Sequence, residues 1–312
     1  MSIEALQINK SRTYINFSIA NHLWSGIEHE DIRSWLRNFK DCKQDELFYV
    51  YKLLSQIIYY SEKDVIALLK EGIFSCVCKK RILQEQISNC FKLSQKALLN
   101  IFNEEIHNTA FIPLLVSNSP SESGNSITRY LVYEGIIPED NVMYGADLPS
   151  FLDTNIVTRL VIVDDCVGSG DQLYEFWNKK LFVTGKKGFS ICEYCDSKGI
   201  KIIYLSLFGY KKRVEELQKE FPSLQISCMR FLYDYNRVFF DGSCMWDSPD
   251  ELHEAESFFQ SVTESANIPM KGHGDLDFAF IMHRTIPDWS LPMFWKENSD
   301  WRLLIRRKNS NE

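Results

Sequence analysis

Hydrophobic positions in the first third of the chain recur with helical spacing. Ile32, Trp35, Leu36 and Phe39 fall at i, i+3, i+4 and i+7 and so share one helix face. Leu47, Val50, Tyr51, Leu54, Ile57 and Ile58 form a second stripe of the same kind. Ser61, with Asp64 three residues on, reads as the N-cap of a further helix, and Gly72 as its stop. Residues 80–102 predict one more helix. The aromatic members of these stripes are expected to pack between helices.

The texture changes near residue 109. TAFIPLLVSN is a short apolar run ending in polar residues, and SPSESGNSITRYLVYEG reads as a loop followed by a helix. A buried strand Leu160–Val163 follows, then a helix from about Asp171, the strand KIIYLSLFGY, the helix KRVEELQKEF and the strand LQISCMRFLY. Strand alternating with helix predicts a parallel sheet built from βαβ units, an α/β fold behind an N-terminal helical domain. The boundary is placed between an N-terminal helical region, 1–108, and a second domain, 109–312, with a C-terminal embellishment. DSPDELHEAESFFQSV predicts a helix capped by Asp247 or Ser248, DFAFIMHR a strand, and the Trp- and Pro-rich tail a wrap over the sheet. Ligands of such sheets bind outside the carboxyl ends of the strands, where residues 117–126 and 164–172 are expected to lie.

Composition narrows the classes. Of 312 residues 45% are hydrophobic and 25% charged, which is ordinary for a chain with a large core. A net charge of −7 argues against a broad nucleic-acid surface. Nine cysteines, an odd number without regular spacing, suggest a reducing compartment. The first residues lack a signal-peptide core, and no apolar run approaches the ~20 residues that span a bilayer. The expectation is a cytoplasmic protein without a membrane partner. Cys192 and Cys195 form a lone CxxC, two donors short of a structural zinc site unless the fold supplies the rest.

The chemistry concentrates in VIVDDCVGSGDQ, residues 161–172. Asp164 and Asp165 follow the apolar run and are expected to leave the strand's end toward solvent. Gly168, Ser169 and Gly170 let backbone N–H groups converge at a helix N-terminus, an anion nest suited to phosphate. Acids cannot bind phosphate, but they accept hydrogen bonds from sugar hydroxyls or hold Mg²⁺. Together these read as a ribose 5-phosphate site. A Walker A loop would need Gly-Lys-Ser/Thr where Gly170 is followed by Asp171, and a dinucleotide fingerprint would place its acid after the loop.

The stretch LVIVDDCVGSGDQ resembles the PRPP-binding signature of type I phosphoribosyltransferases: four apolar residues, two acids, then a small-residue loop. It departs at Gln172, where Thr is common. WLRNF, ESGNSITRYL and HRTIPDWSLPMFW extend the resemblance to the phosphoribosyltransferase-like proteins of bacterial conflict systems. The resemblance implies a Rossmann-like type I phosphoribosyltransferase core. It gives Asp164 and Asp165 the ribose of PRPP or a nucleotide, Val167, Gly168, Ser169, Gly170, Asp171 and Gln172 the 5′-phosphate, and Mg²⁺ as cofactor. A second loop, with Ser117, Asn118, Ser119, Ser123 and Gly124, would grip pyrophosphate. That loop has no Lys or Arg, so Mg²⁺ or Arg129 must balance the charge. The resemblance further implies an effector or accessory protein of an anti-phage, retron-associated system. Its partner would be a reverse transcriptase or its nucleic acid. The residues leave three readings open: an enzyme acting at ribose C1′, a nucleotide-sensing module, or a structural partner.

Overall fold

The computed structural model describes residues 3–116, 122–145, 147–181, 188–283 and 285–307. In chain order it runs α1 (Ile3–Ala20), α2 (His29–Leu36), α3 (Gln44–Ser55), β1 (Ile58–Tyr60), α4 (Glu62–Ile73), a π-helical turn (Phe74–Cys78), α5 (Lys79–Ser88) and α6 (Gln95–His107). Then come β2 (Thr109–Pro113), α7 (Ser123–Tyr133), α8 (Leu148–Thr154), β3 (Arg159–Val167), α9 (Asp171–Asn178), β4 (Lys180–Leu181), β5 (Phe189–Ser190), α10 (Ile191–Lys198), β6 (Lys201–Tyr210), α11 (Lys211–Glu220), β7 (Gln225–Leu232), α12 (Pro249–Ser265) and β8 (Phe280–Met282). This is the α/β class with helices leading, and it packs as two compact units: Met1–Val65 with Leu232–Glu312, and Ile66–Phe231.

The Ile66–Phe231 unit is built on a four-stranded sheet in the order β2-β3-β6-β7. β2 and β6 both run parallel to β3, with Val161 in register between Phe111 and Ile203. Leu160, Ile162, Ile202 and Tyr204 are buried against Leu173, Trp177, Leu217 and Leu224 of the surrounding elements. Helices cover such a sheet on its faces, which is why β3 and β6 read as near-continuous apolar runs.

The other unit joins the two ends of the chain. β1 pairs in parallel with β8, Ile58 opposite Phe280. Trp35 and Trp301 both donate their indole N–H to the Met293 carbonyl, at 2.7 and 2.8 Å, as buried indoles must find an acceptor. Trp289 and Trp301 are buried, and the tail enters this unit's core through Leu291, Met293, Phe294 and Trp301.

Local signals succeeded and failed for identifiable reasons. Ser61 caps α4: its hydroxyl accepts from Asp64 N–H at 3.3 Å, and the Asp64 carboxylate accepts from Ser61 N–H at 2.8 Å. Ser248 likewise caps α12, accepting from Glu251 N–H at 3.1 Å. Gly72 is not a stop. It is a packing residue, where a Cβ would lie 2.9 Å from Leu205 Cδ1, and the helix runs past it into the π turn. The single helix expected over 80–102 is two, because Cys90 and Phe91 take left-handed backbone at φ 50° and 57° and Ser94 then caps α6.

Candidate functional site

β3 does not end before the acids. It continues to Val167, and Asp164 stands in register with Ser206 of β6. Both carboxylates are therefore inside the sheet layer, 2% and 6% exposed, rather than projecting into solvent as the apolar run alone suggested. Asp164 accepts from the Tyr204 hydroxyl at 2.7 Å and from Asp165 N–H at 2.9 Å. Asp165 accepts from Cys166 N–H at 2.7 Å and is hydrogen-bonded by the Ser123 side chain.

These partners offset only part of the cost of burying two adjacent acids. Burial, then the charge of Asp165, pushes the Asp164 carboxyl well above the ordinary carboxylate range, against the opposing Tyr204 hydrogen bond. Burial also raises Asp165, opposed by Ser123, Asp164 and Cys166. Tyr204 is raised by its own burial and by Asp164, which keeps it a neutral donor. The pair therefore holds protons more firmly than free acids do. Hydrogen bonds with sugar hydroxyls or a bound cation would relieve it.

The loop behind the acids is built for close approach. Gly168 and Gly170 are buried and Ser169 half-buried, while Asp171 and Gln172 are exposed on the first turn of α9. Gly170 caps that helix in the left-handed region, φ 82°, where a Cβ would also lie 2.8 Å from Leu217 Cδ1. Ser169 Oγ accepts from Asp171 N–H at 3.4 Å, and Arg213 Nε donates to the Ser169 carbonyl. Val167 is buried against Gly209, where a Cβ would meet its Cγ1 at 2.9 Å.

Of the second loop, Ser117, Asn118 and Ser119 lie outside the described residues. Ser123 opens α7 and reaches the acid pair. Gly124 is pressed on β2's end, where a Cβ would lie 2.6 Å from the Leu114 carbonyl. Arg129 is exposed. Val116 N–H donates to the Glu122 carboxylate at 2.9 Å, and Lys179 reaches the Val116 carbonyl at 3.1 Å. Lys179 thus brings a cation to the start of this segment that the loop's own sequence does not carry.

Sequence reasoning passed over Tyr204, Arg213 and Lys179. A signal existed for Tyr204 alone: a tyrosine in the aliphatic run KIIYLSLF needs a partner for its hydroxyl. Elsewhere, α10 places Cys195 in the core and Cys192 beside Asp196 and Ser223. Among the described residues no cluster of three or more His, Cys, Asp or Glu is arranged to hold a metal. No helix of the described residues is long and apolar enough to cross a membrane.

The family model PRTase-CE matches residues 32–307, most of the chain. No curated protein matches the sequence. Among solved structures the chain is similar to orotate phosphoribosyltransferase from Aeropyrum pernix, at 15% identity and a TM-score of 0.23, over 40% of this chain. The match spans 60% of that protein's length.

Proposed function

Because the chain belongs to the PRTase-CE family, we propose that it binds PRPP or a nucleotide at the mouth of β3 and acts at ribose C1′. One observation carries this reading: the buried acid pair Asp164–Asp165 is followed directly by the Gly168–Gly170 loop at the start of α9. Carboxylates serve the 2′- and 3′-hydroxyls, and the amides of Val167, Gly168, Ser169, Gly170, Asp171 and Gln172 serve the 5′-phosphate. Ser117, Asn118, Ser119, Ser123 and Gly124 are the proposed pyrophosphate contacts.

In the reaction the bond from C1′ to pyrophosphate breaks with its electron pair leaving on pyrophosphate. The acceptor's nucleophilic atom supplies the pair that forms the new bond at C1′. The ribose is cation-like between the two events, so carboxylates placed near it stabilise developing charge without forming a covalent bond. Asp164 and Asp165 are hard oxygen donors of the kind Mg²⁺ takes one or two at a time beside substrate phosphates. When bound, Mg²⁺ would neutralise part of the leaving group's charge.

A second reading has its own support. Asp164 and Asp165 are already satisfied by Tyr204, Ser123 and backbone N–H groups, an arrangement compatible with a nucleotide sensor that no longer turns over. For either reading the proposed setting is a cytoplasmic anti-phage defence system, retron-associated, with a reverse transcriptase or its nucleic acid as partner. The support for that setting is the sequence resemblance in WLRNF, ESGNSITRYL and HRTIPDWSLPMFW.

The deciding experiment is calorimetric titration of PRPP with Mg²⁺ into the wild type and into Asp164→Asn with Asp165→Asn. Binding by the wild type that the double variant loses supports the site, and binding by neither rejects it. Release of pyrophosphate on adding candidate acceptors separates enzyme from sensor. A plaque assay with the double variant tests the defence role.

A further inference from the structure

We infer that Arg213 of α11 is the positioning residue that sets the phosphate loop, by holding the Ser169–Gly170 peptide in the one orientation that presents an N–H to an anion. The inference rests on the ribose-phosphate reading of this loop and assigns it a part that lies 44 residues away in sequence.

The geometry is specific. Arg213 Nε donates to the Ser169 carbonyl from the α11 side of the loop. The peptide is trans and planar, so a carbonyl turned toward α11 turns the Gly170 N–H the opposite way, to the side α11 does not occupy. Without that anchor the peptide is free to flip, because Gly170 tolerates either sign of φ. Flipping would replace a donor with a carbonyl oxygen at the place meant for a phosphate.

Arg213 does not face the phosphate as its counter-ion. Its Nη1 lies 3.3 Å from the Glu216 carboxylate and 3.4 Å from that of Glu220, which take up its charge on the same helix. The side chain is only partly exposed. A Cβ on Gly170 would sit 3.1 Å from Arg213 Nε and 2.8 Å from Leu217 Cδ1, so the glycine, the arginine and the leucine form one close-fitting back wall. The loop amides then bind the anion as a neutral donor set, with a cation behind them that orients and polarises one peptide.

The test compares wild type, Arg213→Met and Arg213→Lys. Ribose 5-phosphate is the probe, followed by calorimetry and by the amide NMR signal of Gly170. The expected result is about tenfold weaker binding in Arg213→Met, the scale of one charge-assisted hydrogen bond. It should come with loss of the downfield Gly170 shift on titration and an unchanged melting midpoint. Arg213→Lys keeps a donor for the Ser169 carbonyl and should restore part of both signals; it also serves if the methionine variant does not fold. Equal affinity and an equal Gly170 shift in wild type and variants overturn the inference while leaving the ribose-phosphate site standing. A wild type that binds no ribose 5-phosphate overturns both.

Discussion

Two buried aspartates, one in each unit, show how differently this chain treats the same side chain. Asp277 is fully buried, and its carboxylate accepts from Arg237 Nε at 2.5 Å and from Phe239 N–H at 2.6 Å. A cation and a backbone donor together replace the water it lost. Asp164 is as well buried, but its partners are a tyrosine hydroxyl and the N–H of a second acid. Like charge stands where Asp277 has opposite charge. A carboxylate buried with a cation locks a fold. A carboxylate buried beside another acid costs stability in its charged form, and taking up a proton relieves that cost.

The contrast can be broken most severely at Asp277. Asp277→Ala takes the carboxylate from half-buried Arg237 and the acceptor from Phe239 N–H, and is expected to cost about 3 kcal/mol. Urea unfolding followed by tryptophan fluorescence would read it, since of the seven tryptophans only Trp177 lies in Ile66–Phe231. Asp164→Asn should do the reverse and stabilise the other unit at pH 7 by on the order of 1 kcal/mol, read as slower hydrogen exchange of β3 amides. The sign follows from linkage. A carboxyl raised in the folded state contributes stability below its unfolded pKa and loses it as pH rises through the folded one. The advantage of the asparagine variant should therefore vanish below about pH 4. A loss at pH 7 would make Asp164 a structural acid like Asp277.

Tyr204→Phe removes one donor from Asp164 and should cost about 1 kcal/mol, measured on β6 exchange, while moving the Asp164 carboxyl further up. Ser123→Ala is the mildest test. It should raise the Asp165 carboxyl, since the lost hydrogen bond lowers it, with a stability change of about 0.5 kcal/mol or less. Carbon-13 titration of the aspartate carboxyls would record both shifts.

The parts of the structure that could be read in advance were those fixed by local chemistry. The apolar runs of β3 and β6, the caps at Ser61 and Ser248 and the loop Gly168–Gly170 each depend on neighbours within a few residues. What could not be read depends on long-range packing. Gly72 looks like a helix stop until Leu205 fills the space beside it. β3 looks finished at Val163 because acids rarely stay in a buried strand, and only Tyr204, forty residues on, explains why Asp164 does. Arg213 is one of three adjacent basic residues, and nothing in KKR distinguishes the one that reaches Ser169.

The pairing of β1 with β8 carries a consequence of timing. Ile58 and Phe280 are 222 positions apart in register, and Trp35 bonds to Met293 across 258. During synthesis the ribosome releases α1, α2 and α3, of which α1 and α3 pack on each other, long before their C-terminal partners exist, while everything that forms the Ile66–Phe231 unit emerges in one uninterrupted stretch. The Ile66–Phe231 unit can thus mature first on the ribosome. The earliest helices remain an unfinished surface, open to a chaperone until the last tryptophans arrive.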